Sequence, residues 1–272
     1  MARRVDNMNL RFLQGKTIGI SISETSDMAI FGLGREHLDD AMAEIAAHLL
    51  ACGAHLSYGG DLREGGFTEL LFEIVNRHRS NINSEQILVR NYMAWPVHAT
   101  MTAVEKGRRK SVLDGIADLI FLSPAGDEEY TASTTPVTTS ITAADWSHGL
   151  TAMRHTMSLS IDARVVLGGR TSNFMGRLPG IAEEALFQLE SRAPLFLLGG
   201  FGGCALDLAR TIGLTDFDPT APDWSGREYF KRFKANDLNN GLTEIENRQL
   251  AKTAHVDEAI ALMLRGLMRL HS

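Results

Sequence analysis

The feature that most narrows the fold is an alternation: short β-branched runs take turns with segments of helical periodicity, and several of those runs end at glycine pairs. From Lys16 the chain reads KTIGISIS, then the polar loop SETSD, then FGLGREHLDDAMAEIAAHLLACG. In that last segment Leu38, Met42, Ile45 and Leu49 recur at helical spacing, and Gly53 stands where a left-handed cap would end a helix. AHLSYGGD supplies a second strand broken by Gly59-Gly60, and after Gly65-Gly66 a helix carries Phe67, Leu70, Leu71 and Ile74 on one face. QILVRNYMAWPVH and ADLIFLSPAG read as further strands, as do ARVVLGG and APLFLLGG, which run directly into glycine pairs. Parallel neighbours need a crossover, and a helix supplies it. The alternation therefore predicts an α/β fold, a doubly wound, mainly parallel sheet.

The connections read more plainly. KGRRK at 106–110 is expected to be a solvated helix face, and TASTTPVTTS at 131–140, rich in hydroxyl side chains that compete for backbone hydrogen bonds, a loop. A helix is expected over about 143–160. Beyond Gly213 the texture turns polar, so 214–241 reads as a surface excursion. Val256, Ile260, Met263, Leu264 and Leu267 then mark a helix over 243–270, packed on the sheet or used in a dimer contact. At roughly 100–200 residues per domain, the 272 residues are assigned to one α/β domain at 15–213 and a C-terminal helical extension, 214–272, on the same domain.

Composition excludes several function classes. Apolar residues at 44% and charged residues at 22% fit a globular chain rather than a disordered or fibrous one. The 27 Lys and Arg against 33 Asp and Glu leave a net charge of −6, which argues against a broad nucleic-acid or anionic-membrane surface but allows a local basic pocket. Cys52 and Cys204 stand far apart with no CxxC or Cys/His cluster, so neither a disulfide framework nor a metal site is expected, and a cytoplasmic location fits. No run approaches the roughly 18 apolar residues of a membrane span, and the first residues lack a signal-peptide core.

In a doubly wound sheet the ligand crevice lies beyond the carboxyl ends of the strands, where strand order reverses. Glycine pairs at such ends let a phosphate or ribose approach the backbone, and a following helix N-terminus offers free N–H groups. Gly59, Gly60, Gly168 and Gly169 are candidates of this kind, with Asp61 placed to touch a ribose or to cap its turn, and Ser21 and Ser23 placed after the first strand to meet phosphate. The stretch 150–203 adds Arg154 on a helix, then a loop bearing Arg170, Gly176, Arg177 and Gly180, then a helix that opens with Glu183-Glu184. Arginine forks suit phosphate, and carboxylates suit ribose hydroxyls or acid–base work, although acids are also favoured at a helix start. His98 and His148 read as core or surface histidines, Trp95 as a packed residue, and Asp39-Asp40 as helix-dipole partners.

The elements GGR…GRLPGIAEEA, the upstream RHTM and the early SYGGD together resemble the SLOG superfamily. That Rossmann-like group includes the lonely-guy (LOG) phosphoribohydrolases, DprA, the TRPM channel sensor region and SLOG modules of bacterial conflict systems. LOG enzymes carry PGGxGTxxE preceded by RKxxM on the previous helix. Here GRLPGIAEE at 176–184 lies over the first motif, so Gly180 matches its last glycine and Glu184 its catalytic glutamate, while Arg154 and Met157 match the lysine and methionine of the second. YGGD at 58–61 resembles the family's YGGG. The chain departs where Gly176-Arg177-Leu178 replace Pro-Gly-Gly, Ile181 replaces threonine, and Met153 replaces the catalytic arginine.

The resemblance, which is closer to the conflict-system groups, implies a sensor of a nucleotide or NAD-derived small molecule. It also implies a homo-oligomer, with a separate effector protein or oligomerisation delivering the response and no bound cofactor. The alternative is a nucleoside 5′-monophosphate N-glycosidase in which Glu184 assists attack of water at the anomeric carbon and Arg154 and its neighbours hold the phosphate. A dehydrogenase is disfavoured, because the first strand runs into SISETSD instead of GxGxxG.

Overall fold

The computed structural model describes residues 11–82, 87–129, 136, 140–217 and 224–271. Its central strand, β1 (Thr17–Ser23), shows how the sequence divides the sheet. TIGISIS alternates isoleucine with glycine and serine, and side chains of a strand alternate between faces. Ile18, Ile20 and Ile22 therefore point together into one apolar layer, leaving Gly19, Ser21 and Ser23 on the other side.

Six parallel strands form one sheet in the order β4-β3-β2-β1-β5-β6, with β2 at His55–Gly59, β3 at Val89–Met93, β4 at Ala117–Phe121, β5 at Ala163–Gly168 and β6 at Leu195–Leu198. The chain winds outward from β1 to β4 and then returns past β1 to lay down β5 and β6. Strand order thus reverses between β1 and β5, whose carboxyl ends are Ser23 and Gly168.

The apolar face is covered by α1 (Arg35–Ala51), α2 (Phe67–Ile82) and α9 (Val256–His271), with Leu38, Met42, Ile45, Leu71, Val75, Met263 and Leu267 in a shared core. Across the sheet, α5 (Ala143–Ser158) packs Met153 and Met157 on Tyr92 and Ile120, while α6 (Gly180–Glu190) and α7 (Gly203–Thr211) cover Val166, Leu195 and Leu197. Shorter helices α3 (Trp95–His98) and α4 (Ala103–Val112) follow β3, and α8 (Glu244–Leu250) precedes α9. Thr142 and Thr102 cap α5 and α4 by accepting the N–H of Asp145 and Glu105, and those acids reach back to the cap, a reciprocal box at each start.

Three expectations change. Lys106, read as part of a solvated face, is buried: it pairs with Glu129 at 3.0 Å and lies over the Phe121 ring, whereas Arg108 and Arg109 are exposed as expected. The excursion after Gly213 is not all surface, because Trp224, Phe230 and Leu238 join the core with α6 and α7. The helix expected over 243–270 is two, broken at 251–255, where the backbone folds over Gly199-Gly200; a Cβ on Gly200 would stand 1.9 Å from the Thr253 carbonyl oxygen. That glycine pair serves the tail rather than a ligand crevice. The hydroxyl-rich stretch 131–140 lies largely outside the described residues.

Candidate functional site

The polar face of β1 meets α6, itself packed on α5, beside the point of strand reversal, and charged side chains converge there. Ser21 and Ser23 were expected after the first strand; both lie inside it. Ser21 is buried and accepts a 2.8 Å hydrogen bond from Arg164 of β5, while Ser23 ends the strand at the crevice. Sequence reasoning missed Arg164, because ARVVLGG reads as an apolar strand. The available signal was an arginine in a run whose other members are all buried.

Glu183 and Glu184 both lie in the first turns of α6 and both are buried, yet they face different partners. Glu183 accepts a 2.7 Å hydrogen bond from Thr151 and pairs with Arg154 at 2.6 Å, with Arg177 leaning in at 3.4 Å. Glu184 places Oε2 3.0 Å from Arg164, and Oε1 3.9 Å from Arg154 Nε. Two arginines and two glutamates thus form one largely buried, electrically balanced network, with the exposed Arg177 at its rim.

The loop into α6 closes on this network. A Cβ on Gly176 would stand 2.5 Å from Arg154 Nη1, and one on Gly180 2.8 Å from Nη2, so these glycines let the loop wrap the guanidinium. Leu178 fixes the same loop to the core. Arg170 and Arg177 are exposed beyond it, and Arg170 has no ion-pair partner among the described residues.

Gly168 and Gly169 sit at the reversal point with left-handed backbones, φ +65° and +99°. They are packed rather than open. A Cβ on Gly168 would meet the Ser23 carbonyl at 2.4 Å, and Gly169 donates to that carbonyl while accepting from Cys204 N of α7. The first turn of α7 is itself satisfied by Asp27, whose carboxylate accepts from Gly203 N at 2.9 Å, leaving less free N–H at this end than the sequence suggested.

Gly59 ends β2 against Met153 and Met157, and Gly60 accepts from Asn91. Asp61 pairs with Arg63 at 2.7 Å on the crevice side of β2. Burial, reinforced by the charges of Glu184 and Asp61, pushes the Tyr58 hydroxyl above its ordinary pKa, so it stays protonated beside them. His98, read from the sequence as a core or surface histidine, is a core residue, with Nε2 2.9 Å from the Leu122 carbonyl. Among the described residues no group of three His, Cys, Asp or Glu side chains could hold a metal ion, and no helix is long and apolar enough to cross a membrane.

A doubly wound parallel sheet with a charged cluster beside its reversal point defines a Rossmann-like α/β protein. Residues 12–235 match the family model described as SLOG cluster2, and the chain belongs to that family. Neither the search of curated proteins nor the search of solved structures returned a match.

Proposed function

We propose that this chain binds a nucleotide or NAD-derived small molecule in the crevice at the β1–β5 reversal and reports its presence without cleaving it. In this reading it acts as a sensor in a bacterial stress or anti-phage system, with the response passed through oligomerisation or a separate effector protein. The observation that carries the reading is the loop at 176–180. Where a phosphoribohydrolase of the LOG type wraps phosphate with Pro-Gly-Gly, this loop is filled by the chain's own Arg154 guanidinium. Backbone N–H groups are replaced by a fixed cation, and Arg177 and Arg170 stand outside it as the groups that would meet an anionic ligand. Glu184 keeps only one oxygen outside its bond to Arg164. Ser23 at the end of β1 and Asp61 just beyond β2 would place a ribose.

Incubating the purified chain with AMP, IMP, NAD and cyclic ADP-ribose tests this directly. A rise in melting temperature with no free base by chromatography, lost in Arg177→Ala, is the expected result. Release of base that disappears in Glu184→Gln would replace the sensor with the N-glycosidase.

A further inference from the structure

Arg164 is the least compensated cation in the described core. It lies in β5 with no exposed surface, flanked by buried Ala163 and Val165. Nη1 donates to Ser21 Oγ at 2.8 Å and to Glu184 Oε2 at 3.0 Å, while Nε and Nη2 are enclosed without a hydrogen-bond partner. Burial opposes its charge, and only the attraction of Glu184 works the other way. Folding alone does not call for such a residue. An apolar side chain of similar length would fill the space without stranding N–H groups, and buried ion pairs replaced in this way are often no less stable.

What the guanidinium does is fix one end of Glu184. Gly19 stands opposite Arg164 in the parallel register, where a Cβ would touch Cζ only at ordinary contact distance, 3.6 Å. With Oε2 held against the sheet, Oε1 accepts no hydrogen bond from the described residues and is not enclosed. Arg154 Nε lies 3.9 Å from it, enclosed and without a hydrogen-bond partner. That separation is too long for a direct bond and Nε is closed off, so Oε1 is the atom left to meet a ligand. Of the oxygens a nucleotide carries, the one that can donate to Oε1 is a sugar hydroxyl, since a phosphate dianion has no proton to give.

We propose that Arg164 is a positioning residue of the ligand site: without touching the ligand, it orients Glu184 so that Oε1 receives a sugar hydroxyl. This rests on the ligand-binding reading above and adds a residue outside every motif of the chain. The test is calorimetric titration of the full chain with AMP, NAD and ADP-ribose, alongside melting temperatures, for the wild type, Arg164→Met, Arg164→Lys and the double variant Arg164→Met with Glu184→Met. Arg164→Met should weaken binding at least tenfold, and Arg164→Lys should recover part of it. The double variant should regain the melting temperature lost by Arg164→Met while binding stays weak. If binding returns together with the melting temperature in the double variant, or if Arg164→Met binds within threefold of wild type, the positioning role is overturned and the ligand reading stands. A wild-type chain that binds none of the three probes overturns both.

Discussion

Acidification should destabilise this protein through His98. Its ring is fully enclosed between α3 and β4, set edge-on to Phe121, with Nε2 at the Leu122 carbonyl and Nδ1 without a hydrogen-bond partner. Burial, aided by the Lys106 charge and opposed by Glu129, lowers its pKa from 6.5 to about 4. Above pH 6.5 the ring is neutral in both folded and unfolded chains and contributes no pH dependence. Between 6.5 and 4 the unfolded chain takes up a proton that the folded chain refuses, so stability falls as pH falls. The full separation of 2.5 units corresponds to about 3 kcal/mol, of which about 2 kcal/mol is already lost at pH 5. Urea unfolding at pH 7 and pH 5 of wild type and His98→Gln measures it, because glutamine can still donate to the Leu122 carbonyl but does not titrate. The wild type should lose about 2 kcal/mol more than the variant over that interval. Parallel losses in the two proteins would show that the ring is hydrated or able to ionise in place, and the reasoning would fail.

Other perturbations probe different parts of the structure. Arg154→Met leaves the enclosed Glu183 with Thr151 and the exposed Arg177, and should cost about 3 kcal/mol in urea unfolding, the lower end for a broken buried pair; a cost below about 1 kcal/mol would mean that the pair is effectively solvated. Trp224→Ala removes a buried ring that stacks edge-on to Phe230 and donates to Asp207 at 2.8 Å, and should cost about 3–5 kcal/mol. A near-neutral result there would restore the view of 214–241 as mere surface. Gly200→Ala forces a methyl group into the Thr253 carbonyl and should cost about 3 kcal/mol, the upper end of overpacking, visible as a lower melting temperature.

The parallel winding was readable because each strand carries its own β-branched run and each return passes through a helix of visible periodicity, as Ile18, Ile20 and Ile22 followed by Leu38, Met42 and Ile45 show. The site was readable only in part. Arg154, Glu183 and Glu184 were found because a motif brackets them, and the structure brings them together. Arg164 was not, because its partners Ser21 and Glu184 come from distant parts of the chain, and only the register of β1 on β5 joins them. The glycine pairs misled in the opposite direction. Their spacing is the same whether the space they leave holds a ligand or another stretch of backbone, and at 168–169 and 199–200 it holds backbone. Lys106 shows the same limit, since a cation in a polar run gives no sign that a glutamate 23 residues later will pair with it.

The seat of residues 251–254 on Gly199-Gly200 bears on how this protein can be cut. The stretch matching the SLOG family stops at residue 235, but the apolar face of α1 is roofed by Ile260, Met263 and Leu267 of α9. A fragment ended at the last recognisable residue would bare that face and the glycine step beside it, and would be expected to aggregate rather than stand as a smaller version of the whole. The part that can be recognised by its letters is shorter than the part that must be made to fold.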